Sequence, residues 1–255
     1  EVIGERFRRT LPEACGETAE RAEGQESPEG PGASGEPGEP ELSVRVRTDA
    51  QLRAALSTDV SRIEVESTAF PAEAYPAVAD ACRAAGKRVL LRLPQVFRLK
   101  AEEFLLKAEM SVKRSDFDAF SVSGFEGVPV IADETFYAFN RVSREVLSEA
   151  GVSHVSVPYE LSGREIRETG FRGQEMTVYG RTPMMVSAGC LKKTLGKCDR
   201  TPSFVYLADR KGNRMPVFAD CAVCMNTIYN SVPTSLDPFA GEIRGAGLRT
   251  VRIVL

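Results

Sequence analysis

From Leu42 to the end of the chain, polar and apolar positions follow two periods in turn, one near 2 and one near 3.6. Val44–Arg47 reads as a short strand, and Thr48 or Asp49 is placed to cap a helix through Leu56. Arg62–Glu66 alternates as a strand does. The Ala72–Ala85 stretch is helical and stops at Gly86, a residue suited to the left-handed terminus of a helix. Arg88–Leu93 is an apolar strand ending at Pro94, and 101–110 reads as a helix. Strands follow at 117–122 and 128–132, then a helix over Glu134–Glu149 and a strand over Ser153–Val157. Ser162 opens a helix to about Thr169, Gln174–Val178 is a strand, and a helix near Pro238–Gly245 leads to a last strand, Thr250–Val254.

Strands alternating with helices imply parallel pairing with helical crossovers. About eight strands of this kind point to a (β/α)8, TIM-barrel-like domain over 42–255, irregular where two strands meet without a helix between them. A doubly wound open sheet is the alternative, without the Gly-x-Gly-x-x-Gly that would follow a first strand in a dinucleotide fold. A P-loop sequence is also missing. In a barrel the strand C-termini face the active side. Glu64, Glu66, Arg92, Asp133, Pro158 to Glu160 and Tyr179 to Arg181 fall there.

Before Leu42 the pattern disappears. Residues 20–41 are dominated by Gly, Pro and Glu and cannot bury enough surface to offset their ordering entropy, so they read as a disordered linker. Residues 1–19 read as the tail of a preceding region, with Cys15 a bystander, and the chain as a fragment of a longer protein. Its 255 residues, 42% of them hydrophobic, suffice for one large α/β domain. A net charge of −3 gives no general reason to expect nucleic-acid binding. No apolar run has the length of a membrane helix and no export signal is visible, which points to the cytoplasm.

The chemistry concentrates late in the chain. Cys190 and Cys198 have seven residues between them, and Cys221-Ala-Val-Cys224 is a Cys-x-x-Cys. Between the pairs, Phe204–Ala208 and Met215–Phe218 flank a turn at Asp209-Arg210-Lys211-Gly212-Asn213, a β-hairpin that returns the second pair toward the first. This Cys-rich insertion, 183–231, leaves the end of the Gln174–Val178 strand and so overhangs the active side. Four thiolates suit zinc, as in a zinc ribbon, or an iron–sulfur cluster. In a chain of this length without an export signal, metal binding is preferred to disulfides. Cys82 reads as a core residue of its helix. With one histidine in the chain, His-rich zinc hydrolase sites are excluded, and His154 reads as a packed strand residue.

Several segments resemble the collagenase-like peptidase family U-32. They are Val157-Pro-Tyr-Glu-Leu-Ser162, Glu175-Met-Thr-Val-Tyr-Gly180, Pro183-Met-Met-Val-Ser-Ala-Gly-Cys190, Leu207-Ala-Asp-Arg210, Met215-Pro-Val-Phe218, Cys221-Ala-Val-Cys224 and Ile228-Tyr-Asn-Ser231. The resemblance covers about Leu42 to the end and is strongest to the C-terminal part of long bacterial members. It implies a TIM-barrel fold and a peptidase label. Other members of the family use a four-cysteine 4Fe-4S cluster for oxygen-independent hydroxylation of RNA bases or of a quinone precursor. By motif the metal ligands become Cys190, Cys198, Cys221 and Cys224, with the iron–sulfur cluster now ahead of Zn. The chain departs from the family signature in the distance from Gly180 to its first cysteine.

For peptidase chemistry, Glu160 and Glu175 are the best-placed carboxylates for acid–base work. For a hydroxylase, Tyr179, Arg181 and Arg210 offer stacking and anion contacts to a base or phosphate, Arg210 competing with a local role in its hairpin. Peptide and RNA are the substrate classes these readings call for. A third reading is a non-catalytic accessory barrel that serves an upstream domain of the same longer chain.

Overall fold

The computed structural model describes residues 39–96 and 130–255, together with the backbone of 119–121. These residues lie within one compact unit, Gly35–Leu255. The expected tail, nearly all of the expected linker, Cys15, the 101–110 helix and the loop after the 117–122 strand fall outside the described residues.

The strands and helices follow the hydrophobic pattern closely at first. They are β1 (Glu41–Val46), α1 (Asp49–Leu56), β2 (Arg62–Glu66), α2 (Tyr75–Ala84) and β3 (Arg88–Arg92), then β4 (Ala119–Ser121) and β5 (Val130–Ala132). Next come α3 (Arg141–Glu149), β6 (Val152–Val155), α4 (Gly163–Thr169) and β7 (Glu175–Gly180). The insertion carries β8 (Pro183–Ser187), α5 (Leu191–Thr194), β9 (Ser203–Ala208), β10 (Arg214–Asp220) and β11 (Met225–Tyr229). β12 (Thr234–Ser235), α6 (Ala240–Gly245) and β13 (Thr250–Val254) complete the chain. None of the helices is long and apolar enough to cross a membrane, among the described residues.

Caps fix the helix starts. Thr48 and Gln51 form a reciprocal capping box on α1, and Ser162 and Glu165 do the same on α4. Gly86, at φ 69°, lets the chain leave α2 in a conformation that costs other residues energy.

Three elements differ most from the pattern. The expected 72–85 helix opens as a 3-10 turn, Ala72–Ala74, before α2 begins at Tyr75. β1 begins at Glu41, inside the expected linker, because Glu41 N–H donates to Arg249 at 2.9 Å and pairs with Thr250. The expected 134–149 helix is broken. A 3-10 turn covers Glu134–Phe136, Tyr137 turns left-handed at φ 50°, and Asn140 caps a fresh helix by accepting from Ser143 N–H at 2.9 Å.

Among the described residues, nine strands form one sheet in the order β12-β7-β13-β1-β2-β3-β4-β5-β6, parallel except for β12. The order runs along the chain without the reversal that defines a doubly wound sheet. Beyond β6, a parallel bridge joins Ser156 to Glu175 of β7, and Val157 N–H donates to the Glu175 carbonyl at 2.8 Å. The chain just after β6, the last strand in that order, therefore touches β7 at that point.

Side chains alternate across this sheet as the pleat requires. Val44, Val46, Ile63, Val65, Val89 and Leu91 face α1 and α2 and make the main core with Leu52, Val78 and Cys82. A second core gathers Val155, Val157, Phe171 and Leu248, with Ile166 and Ile243 packed against it. The other face is polar. Arg252 of β13 touches Glu134, which follows β5, so the sheet curls until strands five places apart meet through their side chains.

The insertion forms a separate antiparallel sheet, β8-β11-β10-β9. The expected hairpin is its β9–β10 half, in register from Ser203 opposite Ala219 to Ala208 opposite Arg214. The other half, β8 and β11, is specified by pairing across about forty residues of chain and has no local hairpin signal.

Candidate functional site

The curled polar face holds a buried network of charges. Arg252 donates to Glu175 at 2.5 Å and to Glu134 at 2.6 Å, and lies 3.3 Å from Glu64. Arg45 pairs with Glu64 at 3.0 Å, Arg92 with Asp133 at 2.8 Å, and Arg62 with Glu175. Burial alone would raise the Glu64 carboxyl, but the Arg45 and Arg252 guanidiniums outweigh it and hold the group at about 2. The same contest, won by Arg252 and Arg45, keeps Glu134 well below the usual carboxylate range. His154 also sits here. Burial, and then the charge of Arg62, push it down to about 3, so its ring is neutral.

Above the network, at the C-terminal ends of the strands, lies a chamber roofed by the insertion sheet. Its floor and walls include Arg45, Glu66, Ser67, Arg92 and Tyr159; its roof includes Val186, Phe218, Asp220, Val223 and Tyr229. Three contacts seat the roof. Thr68 donates to Asp220 at 2.6 Å. Arg47 forms a two-pronged pair with Glu66, at 2.8 Å for each prong, and donates to the Tyr229 hydroxyl at 3.0 Å. The same guanidinium lies 4.0 Å from the centre of the Phe218 ring, a cation–π contact. Burial raises the carboxyl of Asp220, whereas Arg47 overcomes burial and lowers that of Glu66.

The four late cysteines occupy one end of the insertion sheet. Cys190 precedes α5, Cys198 follows it, and Cys221 and Cys224 belong to the β10–β11 turn, next to Asp220 and Val223 of the chamber roof. Asn226 donates to the Gly189 carbonyl at 3.0 Å and holds the turn beside Cys190. Lys192, buried, ties the Cys198 segment down through Asp199 and the Thr201 carbonyl at 2.8 Å. Burial raises the Cys221 thiol, Lys192 opposes the rise, and the neighbouring Cys190 and Cys198 add to it. Arg200 and Cys224 adopt positive φ, 60° and 51°, which is uncommon outside glycine and marks tightly constrained turns. The donor set suits a soft metal or cluster. Among the described residues, however, no group of three or more His, Cys, Asp or Glu side chains is arranged to hold a metal ion.

The other expected site residues divide. Arg181 lines the chamber and donates to the carbonyls of Asn230 at 2.9 Å and Ser231 at 2.6 Å. Tyr179, partly exposed on β7, pairs with Ser235. Glu160 and Glu175 do not form an acid–base pair. Glu160 is exposed in the turn after β6, whereas Glu175 has no solvent exposure at the start of β7 and is held by Arg62 and Arg252. Arg210 is exposed at the hairpin tip, at the end of β9 and β10 away from the Asp220 contact with Thr68. There Asp209 organises the turn by accepting from the N–H groups of Lys211 and Asn213, both at 2.8 Å. Asn230 likewise organises its loop, accepting from Thr182 N–H at 3.0 Å.

Sequence reasoning passed over Arg47, Ser67, Thr68 and Asp220. A signal was present for each. Arg47 and Ser67 directly follow strand ends, Thr68 comes one residue later, and Asp220 adjoins the Cys-x-x-Cys.

No family model matches the chain, and no curated protein does. Among solved structures the chain is similar to "The Structure of the U32 Peptidase Mk0906", with 10% identity and a TM-score of 0.49 over 86% of this chain and 94% of that one. It is also similar to "Crystal structure of an uncharacterized B. cereus protein", with 11% identity and a TM-score of 0.35 over 58% of this chain and 50% of that one.

Proposed function

We propose that the described domain is a (β/α)8-type barrel of U-32 type. Its chamber receives substrate, and Cys190, Cys198, Cys221 and Cys224 bind a 4Fe-4S cluster at the chamber rim. The observation that carries this reading is the Thr68–Asp220 hydrogen bond of 2.6 Å, which seats the cysteine-bearing turn on the C-terminal end of β2. Active sites of such barrels lie at that end. The Ser156–Glu175 bridge supports closure of the barrel. The bound cluster would supply electron transfer. The chain's own residues would orient substrate, with Arg181 as an anion contact and the Arg47–Phe218–Tyr229 group as a rigid wall. Zinc in the same thiolates would be structural, since four sulfurs leave no open position. A cytoplasmic setting, a peptide or RNA substrate and work alongside an upstream domain belong to the same proposal.

The experiment is anaerobic purification with iron, sulfide and zinc analysis and a visible spectrum. Iron and sulfide with broad visible absorption, lost in Cys190→Ala, are the expected result. Stoichiometric zinc in colourless protein selects the structural alternative, and protein without either metal ends the proposal.

Peptide hydrolysis is a second reading, favoured by one observation: Asp220 lines the chamber with its carboxyl raised by burial, as a general base requires. Cleavage of a peptide lost in Asp220→Asn and kept in Cys190→Ala would establish it.

A further inference from the structure

One edge of the insertion sheet is unguarded. β9 ends the order β8-β11-β10-β9, so β10 alone pairs with it among the described residues. Natural proteins blunt such edges with charge, proline or a bulge. The six residues of β9, Ser-Phe-Val-Tyr-Leu-Ala, carry no charge and no proline, and their register with β10 is unbroken. The opposite edge, β8, opens with Pro183.

The hairpin turn fixes which backbone groups lie open. Asp209 N–H donates to the Asn213 carbonyl at 3.1 Å, so these residues face each other at a hydrogen-bonded position. Bonded and unbonded pairs alternate along an antiparallel ladder. Leu207 with Met215, Val205 with Val217 and Ser203 with Ala219 are then the bonded pairs. Pro216, which has no N–H to give, falls at an unbonded position opposite Tyr206. The N–H and C=O groups of Phe204 and Tyr206 therefore point away from β10, to the side where no other described strand lies.

The side chains along this edge are open as well. Phe204 and Tyr206 are 52% and 55% exposed. The Phe204 ring lies 5.1 Å from that of Phe218, which lines the chamber, so the exposed aromatics continue the roof face outward. Arg214 reaches across from β10 toward the edge, its guanidinium 4.6 Å from the centre of the Tyr206 ring, and it makes no ion pair among the described residues. The 183–231 insertion carries seven Lys and Arg against three Asp, in a chain of net charge −3.

These features identify the occupant. Open main-chain groups at every second residue are matched by another extended backbone. A second copy of β9 suits the edge poorly. It would bring two unpaired Arg214 side chains to one seam, and like charges across strands repel. A strip of six residues, about 20 Å long, is also short of the roughly 800 Å² per partner of a stable dimer. We infer that β9 takes a segment of a different polypeptide as an added strand, with an apolar side chain against Phe204 and an acidic one against Arg214. The edge lies outside the chamber, so the inference stands apart from what the cysteines bind.

Fluorescence anisotropy of the full chain with fluorescein-labelled Thr-Val-Thr-Glu-Thr-Val-Thr-amide tests this, the palindrome serving either strand direction. Methylating the backbone nitrogens of one alternate set, Val and Glu or Thr, blocks one edge of the peptide. Binding is expected to fall at least about tenfold with one set, through the loss of two or more hydrogen bonds, and to persist with the other. Equal effects of the two sets overturn strand addition. The peptide with Gln in place of Glu is expected to bind about fivefold more weakly, the upper range for an exposed ion pair, and Arg214→Gln to abolish the difference. No difference in the unaltered chain, or one that survives Arg214→Gln, overturns the acidic assignment. Sedimentation completes the test: a monomer supports the inference, and a dimer that the peptide dissociates gives the edge to a second copy and overturns it. Failure of the peptide to bind overturns it too.

Discussion

Arg252 donates to Glu134 at 2.6 Å across 118 positions of chain, and both side chains are almost fully shielded from water. The guanidinium also serves Glu64 and Glu175, so one cation touches three buried carboxylates, which Arg45 and Arg62 share with it. Removing one partner of a buried pair leaves uncompensated charge, at a cost of about 3–5 kcal/mol. Arg252→Leu should therefore lose at least that much stability in urea unfolding. A loss below about 1 kcal/mol would show that the network carries no such dependence.

Acid should destabilise the fold in two stages. His154 has its folded pKa lowered from 6.5 to about 3, so the unfolded chain takes up a proton first as pH falls through 6.5. Stability is full above that value and declines below it. Glu64, depressed to about 2, contributes stability above its usual carboxylate value that is lost as pH falls toward the folded one. Melting temperature against pH should thus bend first near 6.5. In His154→Gln the first bend should vanish and the second remain.

Gly180 should tolerate no side chain. Its φ is 138°, and a Cβ there would stand 2.7 Å from the Val254 carbonyl oxygen and 2.8 Å from the Val254 Cβ. Backbone strain of this kind costs about 1–3 kcal/mol before the clash is counted. Gly180→Ala should lower the unfolding midpoint and displace Arg181. The displacement can be read from weaker anion binding in whatever fraction folds.

At the hairpin tip, Asp209 and Arg210 should behave oppositely. Asp209→Ala removes the acceptor of the Lys211 and Asn213 N–H groups, so their hydrogen exchange should accelerate. Arg210→Ala should change neither that exchange nor binding in the chamber. A binding defect in the Arg210 variant would return this residue to the site.

Local pattern carried the sequence reading of this protein a long way. The alternation in Arg62–Glu66, the cap at Thr48 and the stop at Gly86 are short-range effects, decided by neighbours within a turn or a pleat. The Asp209–Asn213 turn belongs with them. Where sequence fell short, the deciding forces acted at long range. The helix expected over 134–149 breaks at Tyr137, after a 3-10 turn whose first residue, Glu134, meets Arg252 in a contact no periodicity encodes. β8 and β11 exist because they pair with each other. Glu160 and Glu175, close in the sequence, part because one turns into solvent and the other is buried between two arginines. The sequence determined by itself which residues could form strands, helices and soft metal ligands. Tertiary structure alone decided which of them share a space, since curling the sheet brings Ser67, Asp220 and Arg181, from three distant parts of the chain, to the walls of one chamber.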